Sequence, residues 1–161
     1  MVGFLVSGFW FLVVSLGVAS AQTDDKQPSP VHLTMVALHA TNEHRGVKQV
    51  DPGLEEVRDA IADLDADTYR KVKAAEISAP FNQETRAEIN AKYTLCITPL
   101  SREADNHVRM NVCVQMAAKN PGETPVNAIT TTVTMGPGKQ FKLRGLKMDK
   151  GELVVVISLK R

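Results

Sequence analysis

The chain reads as an α+β domain, with one amphipathic helix packed on a mainly antiparallel sheet or partly open sandwich of about six to eight strands. Three observations predict it. Large apolar residues follow helical spacing at one place, Leu54, Val57, Ile61 and Leu64. Most other apolar segments are short and alternate with polar residues, as half-covered strands do. Turn residues punctuate the second half, at Asn120-Pro121-Gly122 and Gly136-Pro137-Gly138.

The first apolar segment, residues 31–40, has Val31, Leu33 and Met35 on one parity and Val36 and Leu38 on the other. A short run of this kind suits a strand covered on both faces. Residues 41–50 are mostly polar, contain Gly46 and serve as a connection. Asp51-Pro52 then opens the helix: Asp51 can accept a backbone N–H as N-cap, and Pro52 fits the first helical position, where its missing donor is harmless. The stripe from Leu54 to Leu64 predicts a helix of about 14 residues that ends near Leu64 or Asp65 and covers a sheet.

Residues 69–76 read as a weak strand and 80–83 as a turn, after which Thr85, Ala87 and Ile89 alternate with polar neighbours. Two stronger strands follow. Tyr93, Leu95 and Ile97 share a face within residues 92–100, and Val108, Met110, Val112, Val114 and Met116 share one within 107–116. The polar segment 101–106 joins them as a hairpin. Strands are expected again at 126–135, 139–146 and 153–159, all in meander order. No internal repeat is present.

The opening residues bear on location. Residues 1–21 contain no charged side chain, are densely apolar from Phe9 to Val14 and close on Ala19-Ser20-Ala21. This is the layout of a secretory signal peptide with a small-x-small cleavage site, although no Lys or Arg precedes the apolar run. A retained anchor is the alternative, but Phe4 to Val18 is shorter than the ~20 residues a spanning helix needs. The protein is therefore expected to be exported, periplasmic or extracellular, with no transmembrane span after cleavage. Residues 22–30 are polar and Pro-containing and read as a flexible leader, which leaves one domain over residues 31–161.

Charge is unevenly placed. Residues 22–106 hold 10 basic and 15 acidic groups, whereas residues 107–161 hold 9 basic and 3 acidic. A near-neutral total thus joins an acidic first half to a basic second half. Lys139, Lys142, Arg144, Lys147 and Lys150 crowd around one expected strand and form a candidate anion-binding face. Such a row suits an anionic glycan or lipid surface, the chain's own acidic half, or the protection of an edge strand. Only Phe141 lies among them, facing inward, so nucleic-acid binding is not expected.

Cys96 and Cys113 are the only cysteines. Pairing Leu95 with Val114 and Ile97 with Val112 matches the apolar faces of the hairpin and sets Cys96 directly opposite Cys113. An exported compartment permits a disulfide there, worth roughly 3 kcal/mol in the chain-entropy model. Free structural thiols and a redox pair are the alternatives. With no C-x-x-C spacing and no neighbouring His in sequence, the two thiols make a poor zinc site.

Other chemistry is not signalled. Asp63, Asp65 and Asp67 imitate the start of a calcium loop, but Thr68 stands where Gly is needed and Ala74 where a bidentate Glu is needed. His39, Glu43 and His44 lack the helical spacing with which paired histidines grip one zinc. Nucleophile elbow, phosphate-cradling loop and H-E-x-x-H motifs are missing from the sequence. No catalytic residue, cofactor or metal is therefore expected.

The order of these segments, with Ala79-Pro80-Phe81, residues 93–100 (YTLCITPL) and residues 136–158 from Gly136-Pro137-Gly138 onward, resembles small exported domains of uncharacterised bacterial proteins of the myxobacterial and planctomycete type. That resemblance implies an extracytoplasmic α+β domain and supplies no activity. Residues 130–146 and the strand after Gly151 also look like the strand-turn-strand passage of secretin channels, but Gly145 lacks a Gly partner and the membrane lip is missing. The expected function is a non-enzymatic module binding an envelope protein or an anionic surface. The alternatives are a small envelope enzyme or metal-dependent hydrolase without a recognisable motif, and an accessory subunit of an export machine.

Overall fold

The doubly apolar segment at the start of the domain is the central strand of the larger sheet. The computed structural model describes residues 28–160; the expected signal peptide and most of the leader lie outside them. β1 (Val31–Thr41) is flanked by β3 (Thr68–Ala79) and β9 (Glu152–Leu159). The two-residue β2 (Gln49–Val50) and β8 (Gln140–Lys147) form the edges, giving the order β2-β3-β1-β9-β8. A second sheet runs β4-β5-β6-β7, from β4 (Thr85–Glu88), β5 (Tyr93–Arg102), β6 (Val108–Met116) and β7 (Val126–Met135). Every pairing is antiparallel except that of β2 with β3.

The expected meander holds in the four-stranded sheet and fails in the other. There the C-terminal hairpin β8–β9 returns to the first strand, with Met35 opposite Ile157 and Val36 opposite Val156. The reason lies in the sequence of β9. Leu153, Val154, Val155, Val156 and Ile157 are all fully buried, and an unbroken apolar run needs a position covered on both faces. Beside β1 it has one.

Two cores result. Leu33, Met35, Val155 and Ile157 face Leu95, Ile97, Met110, Val112 and Val114 between the sheets. On the far side of the five-stranded sheet, Val36, Leu38, Val154 and Val156 pack against Leu54, Val57, Ile61, Leu64 and Tyr69. Each such side chain contributes about 1.5–3 kcal/mol when fully buried.

The predicted stripe is buried, but the predicted long helix is not formed. Glu55–Val57 is a 3-10 turn, and α1 covers only Arg58–Ile61. Asp51 does not cap it. Its backbone N–H donates to Tyr69 O at 2.9 Å, and its Oδ2 accepts from Lys71 N at 2.9 Å, so Asp51 prolongs the pairing of β2 with β3. Gly53 then adopts φ +86, a left-handed conformation outside the helical region, which delays helix entry. Leu64 is held by a closing turn rather than by helix, its N–H donating to Ile61 O.

Candidate functional site

The four-stranded sheet buries one face and exposes the other. Arg86 pairs with Cys96, Cys96 with Cys113, and Cys113 with Thr130, giving a row across all four strands on the outer face. Beside it runs Thr98, Asn111 and Thr132, in which the Thr132 hydroxyl donates to Asn111 Oδ1 at 2.7 Å.

The register expected for the hairpin is the one found, with Leu95 opposite Val114 and Cys96 opposite Cys113. The disulfide is not formed; both residues are free thiols. Backbone geometry explains the difference. Ala117 N donates to Lys92 O at 2.8 Å, which marks that position as a hydrogen-bonded one, and in an antiparallel ladder every second pair from there is of the same type. Cys96 and Cys113 fall on such a pair. Cβ atoms there stand near the upper end of the ~4.5–5.5 Å range for opposed residues, whereas a disulfide needs about 3.5–4.5 Å. Opposition was legible from the apolar faces; the type of pair was not.

Cys96 is buried and Cys113 half-buried. Burial, followed by the neighbouring Cys113, pushes the Cys96 thiol up to about 12. Glu84, just before β4, completes the cluster: its carboxylate and both sulfurs lie within 4.8 Å of one another. Arg86 Nε donates to Glu84 Oε1 at 2.6 Å, and that contact holds the guanidinium charged. Sequence reasoning passed over Glu84, which is separated from both cysteines along the chain and reaches them only because β4 pairs with β5.

The edges of the same sheet are β4 and β7. The ladder parity that turns Cys113 toward β5 turns Met110 and Val112 toward β7, where they oppose Val133 and Thr131. The backbone N–H and C=O of Thr130, Thr132 and Thr134 therefore face away from β6, without a strand partner among the described residues. All three residues are exposed.

Of the basic residues, Lys142, Arg144 and Lys147 lie on β8 of the other sheet, and Lys139 and Lys150 lie in the turns that flank it. Lys142 Nζ donates to Ala60 O and pairs with Asp63, while Arg144 donates to Glu152 through Nε and Nη2. Lys139, Lys147 and Lys150 make no ion pair with a described residue. Lys142 with Asp63 and Lys160 with Glu76 join the basic half to the acidic half.

The other polar clusters separate. His39 Nε2 bonds Lys150 O, Glu43 pairs with Arg70, and His44 Nδ1 bonds the Thr68 hydroxyl. Asp67, the third carboxylate of the calcium-loop imitation, is buried at 4% exposure and closes the loop after β1. Burial pushes its carboxyl up, but hydrogen bonds from Gly46 N, the Thr68 hydroxyl, Glu43 N and His44 N outweigh this and leave it below the ordinary value. A cleft of about 470 Å³ is lined by Lys48, Val50, Arg58, Ile61, Ala62 and Tyr69, with neither histidine nor carboxylate. No described helix is long and apolar enough to cross a membrane. No protein family, curated protein or solved structure matches this chain.

Proposed function

We propose that the chain is an exported, non-enzymatic module that captures a protein partner by adding a strand to β7. The observation that carries this reading is the contrast among the sheet edges. β2 has two residues, β4 has four with Arg86 and Glu88 among them, and β8 carries Lys142, Arg144 and Lys147 and is broken by a register shift between Leu143 and Leu146. Short length, charge and bulges are the devices by which edges avoid pairing. β7 has a bulge only near its start, where Ala128 has no partner in β6; from Ile129 to Met135 its register is regular, and the strand carries no charge and no proline. An extended segment can bond the free groups of Thr130, Thr132 and Thr134 while its side chains read the threonine face. On the same argument the basic residues of β8 protect their own edge. The signal-like opening and the resemblance to small exported bacterial domains support a place outside the cytoplasm.

A photo-crosslinking side chain placed at position 132, or at position 58 as a control, tests the reading in an envelope extract. Crosslinks to a discrete partner are expected from 132 and not from 58. They should disappear in T134P, which removes an outward N–H where an edge strand tolerates proline. Undiminished crosslinking in a folded T134P protein would overturn strand addition.

A further inference from the structure

We propose that Glu84, Cys96 and Cys113 form a binding site for a thiophilic divalent cation, zinc above all, on the outer face of the four-stranded sheet. This stands apart from the strand-addition reading and survives its failure.

Three observations carry it. The two sulfurs and a Glu84 carboxylate oxygen are mutually within 4.8 Å. A tetrahedral zinc ion, with Zn–S about 2.3 Å and Zn–O about 2.0–2.2 Å, draws its ligand atoms to roughly 3.3–3.8 Å from one another, an adjustment within reach of side-chain torsions. The second is the hydrogen-bonded pair on which the cysteines sit, where the Cβ spacing disfavours a direct S–S bond and leaves room for an ion between the sulfurs. The third is charge. Two thiolates and a carboxylate carry three negative charges, which a divalent cation and the Arg86 guanidinium on Glu84 Oε1 balance. Arg86 holds the carboxylate in place and leaves its second oxygen for the metal, as partners of metal ligands do elsewhere.

Binding is a ligand exchange without oxidation: Zn²⁺ takes both sulfurs as thiolates, and two protons pass to solvent. Three protein ligands leave a fourth position open, toward water or a donor from a partner. The sequence argues against zinc because it has neither C-x-x-C spacing nor a neighbouring histidine; the strand pairing supplies the opposed thiols, and Glu84, just before β4, stands in for the histidine.

The processed protein, purified with reductant and stripped of metal, tests this by titration with Co²⁺ and then with Zn²⁺ against a chromogenic chelator. One equivalent of cobalt should give a sulfur-to-metal charge-transfer band with the strong visible bands of a tetrahedral ion, and zinc should bleach both. C113S should weaken binding by about 100-fold or more and E84Q, whose side chain is exposed, by about 10-fold with the charge-transfer band retained. Two outcomes overturn the proposal: reduced, folded protein that gives no charge-transfer band, or protein isolated without reductant whose mass shows a Cys96–Cys113 disulfide. Unchanged zinc affinity in E84Q would remove Glu84 from the site and contradict the three-ligand assignment.

Discussion

The two sheets of this protein are built from similar amounts of strand and do opposite things. The five-stranded sheet is covered on both sides at its centre: β1 and β9 send one set of side chains into the space between the sheets and the other under the α1 segment. The four-stranded sheet buries one face and leaves the other to solvent, and on that face and its edge lie the cysteine pair, Glu84 and the outward threonines. A strand buried on both sides has no surface left with which to meet a ligand. Both proposed sites therefore fall on the sheet that contributes less to the core.

The contrast can be broken first at Gly151. This residue sits at φ +73 in the turn before β9, and a Cβ there would lie 2.1 Å from Ala40 O on the central strand. Gly151→Ala should cost roughly 3–5 kcal/mol, or prevent folding, because backbone rather than a mobile side chain must yield. Leu38→Ala comes next. It opens a cavity beneath the α1 segment and should lower stability by about 2–5 kcal/mol in denaturant unfolding. Thr98→Ala, on the open face of the other sheet, should stay within about 0.5 kcal/mol. If the two cost the same, the sheets do not differ as described.

A third effect depends on pH. Because the folded-state pKa of Asp67 is depressed from 3.8, its contribution is complete above the ordinary carboxyl range and is lost as pH falls through it toward the lower folded value. Asp67→Asn should therefore lower stability at neutral pH and flatten the acid limb of the stability curve. A mutant curve parallel to wild type below pH ~4 would show that the buried carboxylate is not its source. The smallest effect is expected at Thr132→Ala, which removes one exposed hydrogen bond to Asn111 and should leave stability within about 0.5 kcal/mol.

How far the sequence was legible follows the same division. Strands with a clean alternation, β5 and β6, could be placed and even registered, because a one-residue slip would turn Leu95, Ile97, Val112 and Val114 to solvent. The double apolar parity of β1 announced its coverage. The partner of β1 was hidden, since β9 is distant in sequence and an apolar run states that it must be covered without stating by what. The α1 stripe was legible and its helix was not: Gly53 and the diversion of Asp51 to Lys71 N are tertiary choices that capping rules do not foresee. At the site, the opposition of the cysteines was readable, while the nature of their pair and the arrival of Glu84 depend on ladder parity and on β4, four residues long.

Residue-resolved amide hydrogen exchange along β7 in the isolated protein tests the central claim most directly. Thr130, Thr132 and Thr134, whose N–H groups face outward, should exchange far faster than Thr131 and Val133, which bond to β6, and should become protected when the partner binds. Uniform protection along β7 without a partner would mean that the edge is already covered, and would contradict the account.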